Sequence, residues 1–413
     1  MTAEPMISIN SALDAVLAAV TPVAAEEVEL LGAFGRVLAE TVISPEDVPS
    51  FDNSAMDGYA LCGADLASGR RDLLVTVEIP AGRHSDVPLA AGEAAKIMTG
   101  APLPPGADAV VPVEQTRQEG ATVSILQPVA SGEHVRHRAE DIKRGDVVLE
   151  RGTVLGPAEV GLLASVGLAR VPVASRPRVA ILATGSELVP PGTPVGLGQI
   201  RNSNSFTAHG QVLAAGGRPV PLGIAHDDIE ETRRLIARAL DEEVVLTSGG
   251  VSVGEFDFVK QVQEELGVER RFWRVAVKPG KPMAFGVRGS CLVFGVPGNP
   301  VAAMVSFELY IRPALLAMQG CRDLYRPSVL AAADEPVGRS RGRTEARRCR
   351  VRHDGDAWHF STTGPQGSGI LRSMALADGL AFVPAGYPGG EPGERLMVML
   401  LEGRSALRPS FPG

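Results

Sequence analysis

Aromatic residues are scarce in this chain: Phe 12, Tyr 4 and Trp 2 make up 4% of its 413 residues. Its cores must therefore be built from Ala, Val, Leu and Ile. The apolar share, 45%, is ordinary for a globular chain and too high for a disordered one. Cysteine is sparse as well. The four present, Cys62, Cys291, Cys321 and Cys349, form no CxxC pair, which argues against a zinc ribbon or a disulfide framework. His134 and His137 have no further ligand nearby and read as loop histidines, not as a metal site. Lys and Arg number 40 against 48 Asp and Glu, so the net charge of −8 gives no surplus to displace counterions from nucleic acid. No stretch approaches the ~20 consecutive apolar residues that span a bilayer, and no basic segment precedes an apolar run near the N-terminus. A cytoplasmic protein is expected, with neither a nucleic-acid nor a membrane partner. Two phosphate-binding signatures are missing too: there is no GxxxxGK[ST], and no GxGxxG follows the first α/β strand.

Glycine (47) and proline (32) are abundant, which implies tight turns and short elements. Ile9, Leu13, Val16 and Leu17 recur at helical spacing, and a second helix is expected through Leu30, Leu31, Val37 and Leu38. From Tyr59 the pattern changes to short runs, Leu73–Ile79, Ala109–Val113 and Thr122–Leu126, separated by turns. Helical spacing resumes over Pro157–Leu168. The expected organisation is a helical N-terminal domain (1–46 and 141–176) with a small inserted β domain (47–140). A doubly wound, mostly parallel α/β domain (177–327) and a C-terminal all-β domain (328–413) follow. Strands of the α/β domain are read at Val179–Leu182, Pro219–Ile224, Val244–Leu246, Arg274–Val277 and Leu292–Val296, alternating with helices such as Asp228–Leu240.

Open parallel sheets bind ligands beyond the carboxyl ends of their strands. Here those strands are followed by Thr184-Gly185-Ser186-Glu187, then His226-Asp227-Asp228, then Thr247 to Asp257. After them come Lys278-Pro279-Gly280-Lys281-Pro282 and Pro297-Gly298-Asn299-Pro300. Glycines allow close backbone approach, and exposed N–H groups with hydroxyls before a helix make an anion nest. Two lysines add positive charge, while Glu187, Asp227, Asp228 and Asp257 could hold a hard divalent cation. Each has an ordinary alternative: a turn glycine, a solvated lysine, a helix cap at Asp228. Five polar loops on one sheet edge favour a site for a phosphate-rich ligand.

The segments DNSAMDGYA (52–60), IMTGAPLPPGADAVVPVE (97–114), AEDIKRGD (139–146), ATGSEL (183–188), TSGGVSVGEFD (247–257), KPGKPMAFG (278–286) and GVPGNPVAA (295–303) carry a resemblance. So do GRTEARR (342–348) and QGSGILRSMALADGL (366–380). Together they resemble the molybdopterin molybdenumtransferase family, the bacterial relatives of the gephyrin E domain, over nearly the whole chain. The resemblance implies insertion of molybdate into adenylated molybdopterin with release of AMP, the Mg2+-dependent last step of molybdenum cofactor synthesis. It assigns Glu187, Asp227, Asp228, Ser248, Gly249, Gly250, Ser252, Pro297, Gly298, Asn299 and Pro300 to the substrate. Glu187, Asp228 and Asp257 go to magnesium, and Lys278, Lys281, Arg348 and Ser368 to molybdate. Asp57, Thr99, Asp141 and Asp257 are its catalytic candidates. Asp57 and Thr99 would come from the partner in an elongated homodimer, and a molybdopterin adenylyltransferase and molybdoenzyme chaperones are further expected partners.

Three positions depart from the family pattern. Ala302 stands where many relatives have serine, Ala346 replaces a commonly aromatic residue, and Asp378 replaces a common asparagine. None is a charged member of the site, so they bear on molybdate affinity, not on the reaction. Two other readings compete. An adenylyltransferase shares the doubly wound domain, but the flanking domains and the SGGVSVGEFD loop argue against it. A scaffold, as gephyrin is for receptors, would use the same fold without turnover.

Overall fold

The computed structural model describes residues 6–249 and 258–401, which divide into two compact units, Glu27–Val173 and the remainder. In the larger unit, the valine- and alanine-rich segment Arg178–Thr184 forms an interior strand of a six-stranded sheet, second from one edge. The strand order is 218–225, 178–184, 244–248, 291–296, 282–288, 269–274. The first four are mutually parallel, 282–288 runs antiparallel to them, and 269–274 pairs antiparallel with 282–288. Both faces are covered, as parallel sheets require. Val179, Ile181, Leu246 and Phe294 pack on one side, and Ala180, Leu182, Val245 and Val293 on the other. Full burial of each larger side chain contributes roughly 1.5–3 kcal/mol.

The helix Ile9–Leu17, N-capped by Ser8, buries Ala12 and Val16 in this unit's core. It thus belongs with the α/β domain and not with residues 27–46, where the expected domain boundary put it. Residues Pro300–Met318 form one continuous, largely buried helix, with a π-turn at Phe307–Ile311. Its apolarity is that of a core helix.

The sheet corrects two expectations about strands. Arg274–Val277 is not a strand of it; the sheet uses Glu269–Arg274 and the unforeseen strand Pro282–Arg288. Because Pro282–Arg288 runs antiparallel to Cys291–Val296, its start lies at the carboxyl edge of the parallel strands. The loop Lys278–Lys281 therefore reaches the expected edge by an unexpected route.

Residues 328–400 close into a barrel. Thr344–His353 pairs with both Trp358–Thr362 and Gly379–Val383, and Ser328–Ala333 and Arg395–Leu400 complete the circuit. Val277–Lys278 adds to it in parallel, with Lys278 opposite Glu345. One ladder thus ties the lysine loop to the barrel.

In the unit Glu27–Val173, a six-stranded sheet contains Asp72–Ile79, Ala109–Pro112 and Thr122–Ile125, near the expected runs. Apolar clusters cover both faces. The helix expected through Leu30–Leu38 does not form. A short strand, Ala25–Glu29, is followed by a 3-10 turn at Leu30–Gly32, and Val37 and Leu38 make isolated bridges to Val154 and Val173. Glycines at 32 and 35 explain this, since each weakens a helix. The helix at Pro157–Ser165 forms as expected.

Candidate functional site

A cavity of about 650 Å3 opens at the carboxyl edge of the parallel strands. Thr184, Glu187, Ser248 and Gly249 line it from two strand ends, and Pro297, Gly298, Asn299 and Pro300 from a third. Gly249 has φ +90°, and a Cβ there would stand 2.6 Å from the Thr184 carbonyl oxygen, so only glycine fits. The sequence reading selected seven of these eight; Thr184 it quoted only as part of a loop.

The opposite wall was missed. Arg201, Asn202, Ser203 and Asn204 line it, at the start of the helix Asn204–Ala214. Asn204 Nδ2 donates to the Gly298 carbonyl (2.8 Å), joining this helix to the Pro297–Pro300 turn. Two helix starts, at Asn204 and Pro300, thus line one cavity, and neither N-cap side chain bonds the helix behind it. Ser205 N–H goes to Asn202 Oδ1, and Val301 N–H to the Ser368 carbonyl. The remaining first-turn donors keep two positive dipole ends at the wall, a setting that favours an anion. A run of small polar residues ahead of a helix was the available signal.

An adjoining polar pocket of about 200 Å3 shares Thr184, Glu187 and Gly249 with the cavity and adds His226, Asp227 and Thr232. Asp227 is fixed from both sides: its carboxylate accepts Ser186 N–H (3.3 Å) and its N–H donates to Ser186 Oγ (2.9 Å). Asp228 is an N-cap, accepting Glu231 N–H at 2.6 Å. Among the described residues no three His, Cys, Asp or Glu side chains cluster as a metal site. Gly250, Ser252 and Asp257 lie outside the described residues.

The four expected molybdate residues have unlike surroundings. Lys281 is exposed and makes no ion pair among the described residues. Lys278 pairs with Glu345 at 3.0 Å, and Glu345 also accepts from Arg347 at 2.9 and 3.1 Å. Burial pushes the Glu345 carboxyl up, but bonds from Lys278 and Arg347 outweigh it and hold the group below the usual range. Arg348 is 1% exposed and has no carboxylate partner among the described residues. It donates to Ser373 Oγ (2.9 Å) and to the carbonyls of Gly367 (3.0 Å) and Pro365 (3.5 Å). Burial without a counter-ion works against its charge. Ser368 belongs to the same loop, its neighbour Gly369 lines the cavity, and its own carbonyl accepts Val301 N–H at 3.1 Å.

The other unit brings two candidates together. Asp57 Oδ1 accepts both the N–H (2.7 Å) and the hydroxyl (2.8 Å) of Thr99, which hold its carboxyl below the ordinary range. Asp141 is exposed there, with its N–H bonded to the Val48 carbonyl, and does not join that pair.

Three family models match the chain. The MoeA N-terminal region (domain I and II) covers residues 7–167, a probable molybdopterin binding domain 180–317, and the MoeA C-terminal region (domain IV) 331–401. Molybdopterin molybdenumtransferase 2 of Mycobacterium tuberculosis is 40% identical over 369 residues, 86% of this chain and 90% of that protein. The molybdopterin molybdenumtransferase of Bacillus subtilis is 34% identical, covering 91% and 90%. The crystal structure of a molybdopterin biosynthesis MoeA protein from Pyrococcus horikoshii superposes with a TM-score of 0.83 at 30% identity, over 96% of this chain and 100% of that one.

Proposed function

The chain belongs to the molybdopterin molybdenumtransferase family, and we propose that it inserts molybdate into adenylated molybdopterin and releases AMP. Its relatives are named for transfer of molybdenum to molybdopterin, and an enzyme of molybdenum cofactor synthesis is the coarser reading. One observation carries the finer one: a cavity walled by two helix starts, hydroxyls and backbone amides, and lined also by Pro282, the residue after Lys281. A ligand carrying a pyrophosphate needs such dipoles, and an oxyanion needs a cation that no carboxylate has neutralised. Among the described residues no carboxylate pairs with Lys281 or Arg348, which suits them to the second need.

In this reading the two helix starts, Thr184 and Ser248 orient the phosphates. Gly249 lets them approach the backbone. The Arg348-held loop at 365–369 and the lysine loop receive molybdate. Glu187 and Asp227 would hold magnesium, because two carboxylates beside substrate phosphates form the oxygen-rich, partly hydrated set this ion favours. When bound, the ion would neutralise phosphate charge and polarise the bond to be cleaved. Asp228 is already used as a helix cap.

Incubation of the purified protein with adenylated molybdopterin, molybdate and magnesium tests the proposal. Molybdate-dependent AMP release with cofactor formation is expected. Its absence beside active controls would favour a scaffold, and consumption of ATP with free molybdopterin would favour an adenylyltransferase.

A further inference from the structure

Ser306 lies just before the π-turn of the long helix and is 0% exposed, and among the described residues its Oγ has no hydrogen-bond partner. Buried hydroxyls are nearly always bonded, so an orphan asks for a reason. Its helix offers no other hydroxyl before it, since residues 300–305 are Pro, Val, Ala, Ala, Met and Val. Across from Ser306 stands Gly280, in the loop that carries Lys278 and Lys281. Gly280 has φ +114°, and a Cβ built on it would lie 3.1 Å from Ser306 Oγ, so hydroxyl and loop backbone face each other directly. Pro279 and Gly280 are both buried. Among the described residues the Gly280 N–H has no acceptor. An acceptor and a donor, neither with a partner among the described residues, therefore belong to two residues in direct contact.

We propose that Ser306 is a positioning residue for the lysine loop: its Oγ accepts the Gly280 N–H when an oxyanion occupies the loop, and this bond is open in the free protein. The proposal rests on the reading above that this loop receives molybdate. A bond made in only one of two states adds its whole strength to the affinity of the ligand that selects that state. It adds nothing to the free fold. The loop would then close on its anion by drawing Gly280 toward the helix, bringing Lys281 with it. The lysines supply charge, and Ser306 decides where that charge is held.

The test uses the full chain as wild type, Ser306→Ala and Ser306→Thr. Thermal unfolding of the free proteins comes first. Ser306→Ala should unfold at the same temperature as wild type or higher, because the hydroxyl it loses has no partner there. Molybdate alone is then titrated while amide hydrogen exchange is followed at Gly280. Wild type and Ser306→Thr should gain protection, and Ser306→Ala should not. In the AMP-release assay Ser306→Ala should raise the molybdate concentration at half-maximal rate about three- to tenfold, the range of one ordinary hydrogen bond, with the maximal rate little changed. Ser306→Thr should restore the wild-type response. Ser306→Ala with an unaltered molybdate response would overturn the proposal. So would a lowered unfolding temperature in the free Ser306→Ala protein, which would show that the hydroxyl is already bonded. A wild-type protein that neither gains loop protection from molybdate nor releases AMP would overturn the reading of the loop itself, and the proposal with it.

Discussion

Replacing Arg348 separates two things that its guanidinium does. It clasps the loop 365–373 through Ser373 Oγ at 2.9 Å and the Gly367 carbonyl at 3.0 Å. Bonds from a charged donor are worth about 1.5–3 kcal/mol each, so the clasp contributes roughly 3–6 kcal/mol before desolvation is counted. Burying a cation with no carboxylate beside it costs several kcal/mol. The two nearly cancel, so Arg348→Met, which removes both, should change unfolding free energy by no more than about 2 kcal/mol. The anion does not share that cancellation. A unit charge about 7 Å from a divalent oxyanion, at an effective dielectric of about 40, is worth about 2.4 kcal/mol, or roughly 50-fold in affinity. Arg348→Met should therefore raise the half-saturating molybdate concentration by about that factor. Arg348→Lys keeps the charge and loses the fork, so it should keep most of the molybdate response while unfolding more easily. Denaturant unfolding and molybdate titration of AMP release, run on the same preparations, measure both quantities. If Arg348→Met strongly destabilises the fold but leaves the molybdate response unchanged, Arg348 is a loop clasp and the oxyanion reading of it is wrong.

Asp228→Ala should cost about 1 kcal/mol of stability, the usual value of an N-cap, whereas Asp228→Asn keeps the cap and should leave the magnesium requirement unchanged; a raised requirement in Asp228→Asn would return this residue to the metal. The Glu345 carboxyl is held below its ordinary range, so its contribution is present above the unfolded pKa and lost as pH falls through the lower folded value. Glu345→Gln should accordingly be less stable than wild type near neutrality and converge with it in acid, which a pH series of thermal unfolding will show. The resemblance makes Asp57 and Thr99 the partner's contribution in a homodimer, so mixing Asp57→Ala with Lys281→Ala protomers should recover AMP release. No recovery after verified subunit exchange would count against a shared site.

Much of the sheet was legible because three of its four parallel strands, Arg178–Thr184, Val244–Ser248 and Cys291–Val296, are buried on both faces and read as apolar runs. The two antiparallel strands were harder. Pro282–Arg288 begins with proline and contains Gly286, which argue against a strand interior; yet proline at a strand's first residue withholds no ladder hydrogen bond. On the site, glycines and charges after strands pointed to the edge where the cavity opens. The wall at Asn202–Asn204 escaped because small polar residues before a helix are ordinary capping chemistry, and only the fold shows that this helix starts beside another. Asp228 shows the converse: its two readings, cap and ligand, are identical in sequence, and the 2.6 Å bond to Glu231 shows the first in place.

Arg348 shows how far strand alternation alone could have gone. Along Thr344–His353 the odd positions Cys349 and Val351 enter the barrel core, so the even positions point outward. Arg350 and Arg352 are exposed there, as an outward arginine should be. Ala346 and Arg348 point the same way but are buried, because Ala346 packs into the α/β core with Phe294, Tyr310 and Met374. Period two in the sequence gives the face, and only the packing of the barrel against the sheet tells which outward residues are covered. The same strand pairs Glu345 with Lys278 in the parallel ladder from the lysine loop. A single register therefore sets both the partner of Lys278 and the burial of Arg348. A slip of one residue would turn Arg348 into the barrel core and move the carboxylate away from Lys278. The positive side of the candidate site is thus built by strand pairing before any ligand arrives, while the cavity's other wall depends on two helix starts whose partners lie far apart in sequence.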